Sequence, residues 1–135
     1  MAMPYSQYGL EAYGNAIITN TSTIAQKNDL VRRFVKASLK GTAYALAHPD
    51  EAIAVLRESN PELAAESAKD DLVALKDMDE TDELRKMGLG FVEKTRMEKN
   101  RDNLVSVLSL KRSVPVDQIY TNDFLPKRPV APGSN

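Results

Sequence analysis

The sequence predicts a mostly α-helical (α+β) chain with one short strand, and three observations point there. Apolar residues recur at helical spacing through residues 29–47. Proline–acid pairs at Pro49-Asp50 and Pro61-Glu62 reopen that pattern twice. A short apolar run, Ala16-Ile17-Ile18, sits between turn-forming residues in the manner of a strand. With 135 residues, 42% apolar and 27% charged, the composition is that of an ordinary globular protein, and one compact domain is expected.

Residues 13–20 read YGNAIITN, with Gly14-Asn15 before the apolar run and Asn20-Thr21-Ser22 after it; this is the predicted strand. Asn28 is placed to cap the long helix of residues 29–47, and Asp29 lies in the first turn, where an acid is favoured. On a 3.6-residue period, Leu30, Phe34, Ala37, Gly41 and Tyr44 share one face, which Val31, Val35 and Leu46 widen. Arg32, Arg33, Lys36 and Lys40 fall on a narrower opposite arc. Gly41 at mid-helix costs about 1 kcal/mol against alanine, a cost that a close approach by another element would justify.

His48-Pro49 breaks that helix, and Pro49-Asp50-Glu51 opens a short one presenting Ala52, Ile53 and Leu56. Asn60-Pro61-Glu62 combines a cap, a first-position proline and an early acid, so the next helix is expected to start there, with Ala64, Ala65, Ala68, Leu72 and Leu75 as its stripe. The acidic connector DMDETDE leads into a possible helical turn through Leu84 and Met87, and Gly88-Leu89-Gly90 is a break. A last long helix is expected over 95–110, with Met97, Leu104 and Leu108 aligned. In VDQIYTNDFLP, Asp117 is placed to cap a short turn carrying Ile119 and Tyr120, and Asn122-Asp123 suits a turn. Phe124 and Leu125 read as apolar anchors ahead of Pro126, and residues 127–135 as a flexible tail.

Several function classes lose support from the inventory. A net charge of -1 gives no bulk attraction to nucleic acid or to anionic membrane. Zero cysteines removes disulfides, thiolate metal sites and a cysteine nucleophile. No apolar run approaches the roughly 20 residues a membrane helix needs. The opening MAMPYSQYGLEAYGN has no basic region followed by an apolar stretch, so the chain as written is expected to be soluble and without an export signal. His48, the single histidine, leaves a triad or transition-metal set nothing to build on and suits a helix-end role. Asp77, Asp79, Thr81 and Glu83 resemble the start of a calcium loop, but Asp82 stands where glycine is needed and Gly88 where the closing glutamate belongs. GLGFVE lacks the third glycine and the preceding strand of a dinucleotide site. No metal, cofactor or catalytic residue is expected.

The basic residues read as wet helix faces. Arg32, Arg33, Lys36 and Lys40 have no alternating aromatics, and Lys94, Arg96, Lys99 and Arg101 alternate with Glu93, Glu98 and Asp102. YGNAIITN supports two readings. A tyrosine beside Gly-Asn at the mouth of an apolar strand is a common edge of a small-molecule site, and it is equally an ordinary turn into a strand.

YGNAIITN, NDLVRRFVKASLKGTAYALAHPDEAIAVL, NPEL, GLGF and IYTNDFLP follow in an order that resembles ABC-transporter substrate-binding proteins of the nitrate, sulfonate, taurine and thiamine-pyrimidine type. The resemblance runs over residues 8–126; its more specific pieces are RRFVKASLKGTAYALAHPDEA and YTNDFLP. It implies the helical C-terminal segment of a two-lobed type II periplasmic-binding-protein fold, with the first-lobe sheet absent. Residues 8–20 would be the inter-lobe crossing and strand, 28–111 the helices and 116–126 the terminal anchor.

By the same resemblance, Glu11, Tyr13 and Asn15 border the ligand: Tyr13 flanks it, Asn15 supplies an amide and Glu11 accepts from an amine or ring N–H. The implied function is non-catalytic capture of a small polar solute, such as a sulfonate, nitrate or thiamine-precursor pyrimidine, for an ABC permease. The implied compartment is the periplasm, although the chain as written reads as cytoplasmic. The enzymatic branch that makes the thiamine pyrimidine carries a cysteine-rich run where this chain has LEAYG, so catalysis is disfavoured. A partial fold leaves apolar faces uncovered, here the wide face of the 29–47 helix and the strand edge at 16–18, and a homodimer or domain-swapped assembly is expected. The competing reading is a self-associating helical scaffold that has lost ligand capture.

Overall fold

Helix α2 (Asn28–Ala47) organises most of what surrounds it. The computed structural model describes residues 7, 12–79 and 82–131, without the side chains of residues 77–79, 82 and 83. Among them the chain is helical, as expected: α1 (Thr21–Gln26), α2, α3 (Pro49–Ser59), α4 (Ala65–Asp79), α5 (Asp82–Met87), α6 (Lys94–Val107) and a 3₁₀ turn, Val116–Gln118. The expected strand at 13–20 is absent: residues 12–20 have no regular structure. A strand exists only through pairing with another, and no strand occurs among the described residues. The chain divides into two compact units, residues 1–21 with 92–123 and residues 22–91 with 124–135.

In the second unit, α1 changes how α2 begins. The carbonyl of Lys27 accepts from Val31 N–H at 3.1 Å, so Lys27 takes the cap position and no side chain caps the helix. Asn28, the expected cap, is already helical, and its Oδ1 accepts from Arg32 Nε at 3.0 Å instead. At the other end, His48 N–H bonds the Tyr44 carbonyl at 2.8 Å and the His48 carbonyl accepts from Ala52 N–H at 3.0 Å. His48 is thus the joint between α2 and α3, with Pro49 at the tolerated first position.

Helix α4 starts at Ala65 and not at Pro61. Asn60 is occupied in ending α3, its N–H bonded to the Leu56 carbonyl at 3.0 Å, while its own carbonyl closes a turn onto Leu63 N–H at 3.0 Å. A residue before proline is also pushed away from helical backbone. Helix α3 packs on α4, and both pack on α2.

The buried side of α2 carries Leu39, Ala43 and Leu46. Leu39 and Ala43 join Leu89 in a core that Val35, Leu125 and Val130 complete. Of the wide apolar face, Leu30, Phe34, Ala37, Gly41 and Tyr44 are all exposed, Phe34 by 58%, whereas Leu46 and Val35, which widen it, pack inward. The helix is apolar on two sides, and periodicity does not say which side its neighbours cover. At Gly41 an added Cβ would meet nothing within 4 Å.

Gly88 and Gly90 have φ of +89° and +82°, values that favour glycine. Gly88 N–H closes α5 on the Leu84 carbonyl at 2.8 Å, and Leu89 N–H bonds the Val130 carbonyl at 2.8 Å. The stretch after Pro126, expected to be loose, is therefore held down at Val130. Phe124 is buried, with the Arg32 guanidinium 5.1 Å from its ring centre, and Leu125 packs on the core.

Candidate functional site

The first unit gathers its polar groups around Tyr13, and helix α6 supplies most of them. Glu93 starts that helix as its N-cap, with φ and ψ of −80° and 131°. Its carboxylate accepts from Thr95 N–H at 3.0 Å and from Arg96 N–H at 2.6 Å. Two of the helix's orphan donors are satisfied this way. The bonds from the Thr95 and Arg96 backbone hold the Glu93 carboxyl below its usual range.

Two successive helical turns hold the tyrosine at both ends. Glu93 N–H donates to the Tyr13 hydroxyl at 2.8 Å, and Tyr13 N–H donates to Asn100 Oδ1 at 3.1 Å. Asn100 is itself oriented, because its Nδ2 donates to the Arg96 carbonyl at 2.8 Å. The Arg96 guanidinium lies 4.7 Å from the Tyr13 ring centre, within the range of an attractive cation–π contact. The half-buried ring is therefore fixed at its main chain, at its hydroxyl and on a face. Farther along, the Asn122 side chain bridges both backbone groups of Val92, accepting from its N–H at 3.1 Å and donating to its carbonyl at 2.9 Å. This double bond holds the entry to α6.

Of the three residues expected at a ligand, Tyr13 lies in this cluster, Asn15 is exposed two residues along the irregular segment, and Glu11 lies outside the described residues. Glu93, Arg96 and Asn100 were not singled out from the sequence. Their signal was present as polar residues three and then four apart, which share one helix face. Charge alternation masked it, since Arg96 reads like its solvated neighbours but is half-buried. The calcium-like positions Asp77, Asp79, Thr81 and Glu83 lie among side chains outside the described set.

In the second unit, α3 and α4 border an open groove of about 320 Å³ floored by Ile53 and Ala54. Asp50 and Lys69 span it in an exposed ion pair, Nζ to Oδ1 2.5 Å. The hydrogen bond and charge of Asp50 raise the lysine's pKa. A groove this open, with its facing charges already paired, has the character of wet surface.

Comparison with known proteins gives the chain its family. Residues 1–52, which include Glu11, Tyr13 and Asn15, match the family described as NMT1/THI5 like. Riboflavin-binding protein RibY of Chloroflexus aurantiacus is 30% identical over 115 residues, 83% of this chain and 33% of the relative. The chain thus spans about a third of the length of that curated relative. No solved structure matches the chain. On these two matches, the chain belongs with the NMT1/THI5-like substrate-binding proteins.

Proposed function

We propose that this chain is part of the solute-binding component of an ABC importer and captures a small, flat, polar solute in the periplasm without changing it. The observation that carries the reading is the fixed Tyr13 ring, held by Glu93 N–H, Asn100 Oδ1 and the Arg96 guanidinium. A ring already immobile loses little freedom when a ligand arrives, so its contact area is converted to affinity efficiently. In this reading Tyr13 flanks the solute, Asn15 offers its amide and Glu11 accepts from an amine or ring N–H. The related riboflavin-binding protein makes a flavin or a simpler pyrimidine the first solute class to try, with sulfonates and nitrate next.

Isothermal titration of the chain with riboflavin, thiamine-precursor pyrimidine, taurine and nitrate tests the proposal. Saturable binding of one of them, weakened about tenfold or more in Tyr13→Ala, supports it, and mass analysis of the recovered solute checks that no reaction occurs. Equal binding by Tyr13→Ala removes the tyrosine from the site. Indifference to all four solutes removes solute capture from this chain.

A second reading, the self-associating scaffold, has its own observation. Leu30, Phe34 and Tyr44 on α2 are 48%, 58% and 43% exposed. Leu104, Val107 and Leu108 crowd the end of α6, with Val107 79% exposed. Surfaces of this kind favour a homodimer, which is compatible with solute capture.

A further inference from the structure

Residues 103–116 differ in composition from the rest of the chain. They carry Lys111 and Arg112 and no acid, although the whole chain has 19 acids against 18 bases. Their apolar side chains lie largely at the surface: Val107, Leu108 and Leu110 are 79%, 60% and 48% exposed. The way α6 ends fixes this placement. Ser109 has φ +49°, its N–H bonds the Ser106 carbonyl at 3.3 Å, and Leu110 N–H reaches back to the Val105 carbonyl at 3.0 Å. This is a Schellman turn, in which glycine usually takes the left-handed position. A serine held there is strained, and strain of this kind gathers at functional sites. The turn sets Leu108 and Leu110 on either side of a fixed corner, with the two cations directly after it.

We propose that the corner at the end of α6 docks on an anionic lipid surface. Val107, Leu108 and Leu110 enter the interface, and Lys111 and Arg112 meet the headgroup phosphates. Neither cation is paired with an acid among the described residues, so both charges are available. The complementarity is local, since the chain as a whole, at -1, is not drawn to such a surface. Other occupants fit this corner less well. A two-fold contact uses the same patch on both copies, so a second copy would bring two Lys111–Arg112 pairs together with no acid in the stretch to separate them. Single-stranded nucleic acid is held by aromatic stacking as well as by charge, and residues 103–116 contain no aromatic. No helix among the described residues is long and apolar enough to cross a membrane, so the contact is interfacial. The corner belongs to the unit that contains Tyr13, and docking would hold that unit at the membrane where a permease sits. The docking itself does not depend on solute capture.

The chain has no tryptophan, so Leu108→Trp and Phe34→Trp each supply a single emitter, one at the corner and one on the outer face of α2. Both are mixed with vesicles of phosphatidylcholine alone and of phosphatidylcholine with phosphatidylglycerol in equal parts. Sedimentation of the unsubstituted chain with the same vesicles gives the affinities. The Leu108→Trp emission should move to the blue on the mixed vesicles while that of Phe34→Trp stays in place. The unsubstituted chain should bind the mixed vesicles about thirtyfold more tightly than the neutral ones, at about fivefold for each cation. Lys111→Gln combined with Arg112→Gln, or high salt, should remove that preference. Equal binding to the two kinds of vesicle, or binding to neither, overturns the proposal. A preference that survives in the double variant, or a blue shift from Phe34→Trp alone, overturns it by moving the contact elsewhere. A blue shift of Leu108→Trp that needs only protein concentration and no vesicles gives the corner to a second copy. The affinities are measured on the unsubstituted chain, so the comparison holds even if a variant fails to fold.

Discussion

Three glycines in three environments give the sharpest test of the packing. Alanine at Gly88 would hold a side chain at φ +89° with its Cβ 2.8 Å from Pro129 Cβ and 3.0 Å from the Val130 nitrogen. Holding a non-glycine residue with positive φ costs about 1–3 kcal/mol. Crowding against backbone adds roughly the 1–3 kcal/mol of an overpacked core. Gly88→Ala should therefore lose about 2–6 kcal/mol, the sum of those two terms. At Gly90 the backbone term is similar, but the closest atom is a Leu39 methyl at 2.9 Å, the end of a side chain that can turn. Gly90→Ala should accordingly lose less, about 1–3 kcal/mol. Gly41→Ala meets open space inside a helix and should gain about 1 kcal/mol. Urea unfolding followed by far-UV circular dichroism ranks the variants. If Gly88→Ala unfolds with the unsubstituted protein, Pro129 and Val130 do not lie against that turn. If Gly41→Ala destabilises, something covers the outer face of α2, and the dependence of the loss on protein concentration says whether it is a second copy.

Other outcomes follow from the same geometry. The depressed Glu93 carboxyl stabilises the fold above the usual glutamate range, and that contribution is lost as pH falls through its lowered folded value. The urea midpoints of Glu93→Gln and the unsubstituted chain should therefore converge in acid; a constant gap would remove the cap. Asn122→Ala leaves both backbone groups of Val92 without their protein partner and should cost about 1–3 kcal/mol in urea unfolding. A midpoint that does not move would show that water serves Val92 equally well. Phe34→Glu places a charge on the outer face of α2 and should shift a dimer to monomer in sedimentation velocity, whereas an unchanged distribution moves the interface elsewhere.

Much of the helical order was legible because its signals are local. Pro49 begins α3 and Gly88 ends α5 through backbone rules that hold wherever those residues sit. What failed required a partner. The run Ala16-Ile17-Ile18 has the composition of a strand, but composition does not provide the neighbour that makes one. The apolar face through Leu30, Phe34 and Tyr44 was visible, but Leu39 and Ala43 become the buried side only because Leu89, Leu125 and Val130 cover them. The candidate site was half legible. Tyr13 drew attention as an aromatic beside Gly-Asn, while Arg96 and Asn100 lie far along the chain and looked like solvent-facing charge and amide.

The hydrogen bond from Glu93 N–H to the Tyr13 hydroxyl joins residues 80 positions apart, and the one from Tyr13 N–H to Asn100 spans 87. Closing a loop of that size costs roughly 4 kcal/mol of chain entropy before any contact repays it. During synthesis, Tyr13 emerges early and must wait for α6 before its partners exist. The stretch from Ser22 to Phe91 lies between them and builds its α2–α3–α4 contacts from near neighbours, so it is the fast-forming segment. Its remaining pieces, Phe124, Leu125 and Val130, follow α6 along the chain and so reach it late. The interleaving makes residues 124–130 a late lock on the second unit, and a ribosome-stalled chain ending before Phe124 should leave that unit open to protease.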